Sequence, residues 1–105
     1  MSEPKTTAEI LEERGREYGS FARHARISRD LKTAAQWGMG GKTFDPVMAE
    51  ALDMIFHKIA RILNGNPMNR DSWADIAGYA ELVVKEIDAD ADAGKNRRVG
   101  LYKAH

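Results

Sequence analysis

In the stretch EALDMIFHKIAR, residues 50–61, Glu50, Asp53, His57 and Arg61 recur at i, i+3, i+7 and i+11. A helix advances about 100° per residue, so this spacing puts all four on one helical face. Two carboxylates one turn apart can chelate a hard divalent cation. Magnesium commonly meets a protein through a few carboxylates together with the phosphate oxygens of a substrate. Lys58 and Arg61 would neutralise such phosphates, Arg61 through its bidentate fork. A second acidic pair, Asp71 and Asp75, follows on the next helix, with Tyr79 one turn further on. The spacing therefore nominates Glu50, Asp53, Asp71 and Asp75 as magnesium ligands and Lys58 and Arg61 as phosphate contacts. Tyr79 is an accessory position. His57 has three readings: ligand, phosphate contact or exposed side chain. The plain alternative is a solvated helix face whose charges pair with one another at i, i+3 and i+4.

Helical spacing dominates the chain, and no run of β-branched residues alternates as a strand would. TAEILEERGREYG predicts a first helix with Thr7 as cap and Gly19 near its end. Ser20 caps a second, FARHARISRDLKTAAQW, which the glycines of WGMGGK stop. Asp45 and Pro46 open a third, and Gly65 and Pro67 close it. Asp71 or Ser72 opens a fourth, SWADIAGYAELVVKEI. The short link NGNPMNR makes the third and fourth helices an antiparallel pair, with Ile55, Ile59, Trp73, Ile76 and Ala80 packed between them. The expected fold is all-α, a small bundle of about four helices in residues 1–88. Residues 89–105, first acidic and then basic, read as a flexible or partner-docked tail.

The 105 residues suffice for one domain. Zero formal net charge gives no global pull towards nucleic acid or membrane. The basic residues Arg23, Arg26, Arg29 and Lys32 spread around the second helix as on a solvated face, so nucleic-acid binding is not expected. Arg16, Tyr18 and Phe21, around Gly19, form a pocket wall, or Tyr18 and Phe21 belong to the core. Cysteine is absent, which excludes disulfides and thiolate metal sites. The polar start MSEPKTTAEI has no signal-peptide run, and no segment reaches the roughly 20 apolar residues of a membrane span. A cytoplasmic protein is expected.

The runs ERGREYG, EALDMIFHKIARILNG and DSWADIAGYAELV resemble small phage and prophage proteins of unassigned function. Across about residues 9–87 the chain also resembles, more distantly, the all-α nucleoside triphosphate pyrophosphohydrolases of the MazG-like group. That resemblance implies a helical bundle, usually oligomeric, which binds magnesium through acidic motifs on two central helices and cleaves nucleotides between the α and β phosphates. Glu50 and Asp53 stand at part of the first motif, Asp71 and Asp75 at the second. EALD departs from the group's EExxE, and DSWAD from its ExxD, which is compatible with binding a nucleotide without hydrolysing it. The expectation is a magnesium-dependent nucleotide-binding protein, with pyrophosphohydrolase activity open. The alternative is a non-catalytic phage accessory protein that binds or sequesters a nucleotide or a host protein. Without its tails the chain keeps about 80 residues, near the size where one core is marginal. A homo-oligomer is therefore expected, meeting through Tyr79, Leu82 and the flank of the third helix.

Overall fold

The computed structural model describes residues 3–93, all of whose regular elements are helices: α1 (Thr7–Tyr18), α2 (Phe21–Met39), α3 (Pro46–Asn64) and α4 (Arg70–Asp92). The fold is the expected all-α bundle. Local chemistry sets each start. Thr6 rather than Thr7 caps α1, because its hydroxyl accepts from the Glu9 N–H while Glu9 reaches back to the Thr6 N–H, a reciprocal capping box. Ser20 caps α2 through the Arg23 N–H. The Asp45 carboxylate accepts from the N–H groups of Val47 and Met48, with Pro46 in the first turn of α3.

At α4 both boundaries differ from expectation. α4 begins at Arg70, since Asn69, and neither Asp71 nor Ser72, accepts from the Ser72 N–H at 3.0 Å. Its far end runs on to Asp92 through the acidic stretch assigned to the tail. The basic part of that tail lies outside the described residues.

α3 is the central element. α2 and α4 each pack on it without touching each other, and α1 lies across the α2–α3 edge. This open arrangement leaves little interior. Ala60 is fully enclosed, and Met48, Ala51 and Ile62 complete the buried apolar set. Small residues at these contacts let the helices approach closely.

The α3–α4 pair forms, but α4 is rotated relative to the expected stripe. Ser72 is buried, and Ile76, Tyr79, Val83 and Glu86 are half-buried behind it, so this row faces α3. Trp73, expected in the core, is 55% exposed, and Ala80 is exposed with it. A serine at the contact admits closer packing than an indole would. Trp73 instead folds back over the α3–α4 turn, where its indole N–H donates to the Pro67 carbonyl at 2.8 Å. Tyr79, expected on an outer surface, is turned inward, while Leu82 is exposed. Among the described residues no helix is long and apolar enough to cross a membrane.

Candidate functional site

The link NGNPMNR does more than turn the chain. Its asparagines hold the end of α1. The Asn64 amide donates to the carbonyls of Tyr18 and Ser20, each at 2.9 Å. The Asn66 N–H donates to the Glu17 carbonyl at 2.9 Å, and the Asn69 amide to the Glu17 carboxylate at 2.6 Å. Two glycines make this crossing possible. Gly19 has φ +78°, and a Cβ there would collide with the Asn64 carbonyl. A Cβ on Gly65 would collide with the backbone of Glu17 and Tyr18.

This latch sets Tyr18 against the last turns of α3. The Arg61 guanidinium lies 4.5 Å from the centre of the Tyr18 ring and that of Arg14 5.3 Å, both cation–π distances. Beside them the buried His24 meets His57, with Nε2 of one 3.2 Å from Nδ1 of the other. Phe21, 80% exposed, stacks on His24 with ring centres 6.1 Å apart. Together these side chains line a cleft of about 440 Å³ between α1, α2 and α3, within the size range of small-molecule sites.

Electrostatics in the cleft are one-sided. Burial, then the nearby Arg61, lowers the pKa of His57 from 6.5 to about 4. The same causes lower that of His24. Two charged rings at 3.2 Å would repel, whereas neutral ones share a hydrogen bond. Near neutral pH the imidazoles are therefore uncharged and the arginines carry the charge. Among the described residues no carboxylate lines the cleft or lies within salt-bridge reach of Arg14 or Arg61. The arrangement suits an anion with an apolar or aromatic portion.

The residues nominated by spacing divide. His57 and Arg61 belong to this cleft. Asp53 opens instead, with Arg29 and Lys32 of α2, onto a second hollow of about 330 Å³. Glu50 is exposed one turn before it. Lys58 is committed to Asp75 across the α3–α4 contact, with Nζ to carboxylate at 2.9 Å and the lysine side chain only 12% exposed. Asp71 is exposed in the first turn of α4, where the helix dipole favours it. Among the described residues no three His, Asp or Glu side chains gather as ligands for one ion. The four carboxylates thus do not fit a single magnesium cage within one chain. Spacing nominates neither Arg14 nor His24; Tyr18 and Phe21, read as pocket wall or core, line the cleft, whereas Arg16 pairs with Glu12 at 3.1 Å. The available signal was the pair of glycine-centred turns, Tyr18-Gly19-Ser20 and Asn64-Gly65-Asn66, whose crossing builds the cleft.

A four-helix all-α domain organised on one central helix, with a basic, aromatic cleft at its α1–α3 crossing, is the class that fold and site define. Residues 5–87 match the model of a family described as a domain of unknown function (DUF6378), and the chain belongs to that family. No curated protein and no solved structure matches it.

Proposed function

We propose that this protein binds a nucleotide in the cleft between α1, α2 and α3. The observation that carries this reading is the lining: Arg14 and Arg61 beside Tyr18, the His24–His57 pair, and an exposed Phe21, with no carboxylate among them. Guanidinium groups suit phosphate oxygens. Phe21 offers an open ring on which a base can stack, a contact open to any base because each has a π-face. Magnesium enters this reading as a companion of the phosphates. Glu50 and Asp53 stand outside the cleft, Asp53 on the second hollow, so the ion would arrive on the phosphates themselves, whose oxygens and water supply its ligands.

Among the described residues no carboxylate lines the cleft, which supports binding over hydrolysis. This favours the accessory role, a protein that sequesters or senses a nucleotide, over a pyrophosphohydrolase. The test is calorimetric titration with nucleoside mono- and triphosphates, with and without magnesium, alongside an assay for released pyrophosphate. The expected result is binding that Arg61→Gln weakens at least about tenfold, the scale of one charge-assisted hydrogen bond, with no pyrophosphate formed. Turnover would restore the hydrolase reading. Binding indifferent to Arg61→Gln and Arg14→Gln would remove the cleft from consideration.

A further inference from the structure

α4 carries a second stripe that no other described helix covers. Trp73, Ala77, Ala80, Val84, Ile87 and Ala91 lie within about 80° of one another, centred roughly 100° from the row that faces α3. All six are exposed. The large ones remain so, Val84 by 47% and Ile87 by 45%. α4 touches no helix other than α3. Scattered exposed apolar residues are ordinary, but an unbroken apolar stripe along a 23-residue helix marks a contact surface.

The order within the stripe indicates what covers it. Trp73, Ala77, Ala80, Val84 and Ile87 are spaced four, three, four and three residues apart. Laid antiparallel on a copy of itself about Ala80, the stripe sets Trp73 against Ile87, Ala77 against Val84, and Ala80 against Ala80. Side chains then grow in size away from the centre, as two crossing helices demand, because their axes are nearest at the crossing and diverge beyond it. The charges agree with this register. Arg70 and Asp88 lie on the same flank of the stripe, ten residues before and eight after Ala80. In an antiparallel pair like flanks meet, so Arg70 of each copy faces Asp88 of the other. Glu81, about 80° from the centre of the stripe, stays at the solvent rim, where salt screens its own copy. A surface complementary to itself under a two-fold rotation is the requirement for a closed dimer.

We propose that two copies of this chain associate through the Trp73–Ile87 face of α4, antiparallel about an axis at Ala80. The dimer covers apolar area that an open layer of helices centred on α3 leaves bare, and it leaves the α1–α3 cleft of each copy free.

The absence of cysteine makes the register directly testable. Ala80→Cys places two thiols at the axis, within the short Cα separation that a disulfide requires. Leu82→Cys puts the thiol on the opposite side of α4, and Trp73→Cys puts it away from the axis. The wild type is expected to scatter light as a dimer at micromolar concentration. Under mild oxidation Ala80→Cys should cross-link, Leu82→Cys and Trp73→Cys alone should not, and a mixture of Trp73→Cys with Ile87→Cys should give the heterodimer. Val84→Lys should weaken association on the order of 100-fold, as an unpaired charge in an apolar contact does, while circular dichroism stays helical. A wild-type monomer at micromolar concentration would overturn the proposal. So would cross-linking of Leu82→Cys in preference to Ala80→Cys, or a Trp73→Cys homodimer, which would report a parallel arrangement.

Discussion

On one side of α3, the end of α1 is held by asparagine amides, two glycines and the Arg61–Tyr18 contact. On the other, α4 is held by the row of Ser72, Ile76, Tyr79 and Val83 and by the Lys58–Asp75 ion pair. The first side depends on direction: each amide has a defined acceptor, and the resulting frame keeps a cleft open. The second depends on area, and its apolar residues exceed what α3 can cover. Specific polar contacts can thus shape a cleft without a large core, whereas packing by area leaves an apolar surplus exposed on α4.

The sharpest way to break the comparison is to remove apolar volume on the α4 side. Ile62→Ala should cost about 2–5 kcal/mol, the range for buried aliphatic truncation, because Ile62 is buried one turn beyond Lys58. Chemical denaturation measures this. The cleft should still bind its ligand in the fraction that remains folded.

The converse substitution attacks the latch. Gly65→Ala forces a methyl group into the backbone of Glu17 and Tyr18. It should destabilise by more than about 1 kcal/mol, as glycine replacement does where the native geometry forbids a side chain. Its signature is regional: nucleotide binding should be lost while dimerisation through α4 persists. Loss of both together would mean that the two sides are not separable.

How much of this was legible beforehand follows the same division. Local signals placed α2 and α3 correctly, because Ser20, Asp45, Pro46 and Gly65 act on neighbours within one turn. The start of α4 was ambiguous because Asn69, Asp71 and Ser72 are all competent caps. The expected row of Trp73, Ile76 and Ala80 blends two faces, one turned to α3 and one exposed. Only packing reveals that Ser72 takes the contact. The latch was invisible for a different reason: its bonds join residues 44 to 52 positions apart, and nothing in a tight-turn pattern announces a distant acceptor. Arg61 and His57 were found through their helical spacing, but their neighbours Arg14 and His24 come from other helices.

A milder perturbation sharpens the electrostatic half of the comparison. In the folded chain His57 titrates at about 4 instead of 6.5, chiefly because it is buried. As pH falls the unfolded chain therefore takes up this proton first, and the folded state loses stability. The His57 contribution is fully present above about pH 6.5 and declines towards pH 4. Melting curves across that window should show a slope that His57→Gln reduces, with carboxylate titration common to both proteins. A bound phosphate should oppose the decline, since a nearby negative charge favours the protonated ring. An unchanged slope in the variant would show that another group senses the acid.

The smallest expected effect tests which role Asp75 plays. As the partner of Lys58 it joins α3 to α4, with its own side chain 48% exposed. Partly exposed ion pairs contribute about 0–1 kcal/mol, so Asp75→Asn should lower stability by no more than that. The loss should be the same with and without magnesium, and added salt should shrink it. A magnesium ligand would behave differently. If Asp75 held the ion, magnesium would raise the melting temperature of the wild type by linkage, and Asp75→Asn would remove that rise. Lys58→Met separates the roles further: it takes away the cation that occupies Asp75, so a latent metal site would bind more tightly, while a purely structural pair would only lose its small contribution. Melting temperatures of the wild type and both variants, measured at zero and millimolar magnesium, decide between them. Magnesium-independent shifts in both variants are expected, because among the described residues no three acidic or histidine side chains gather to hold an ion.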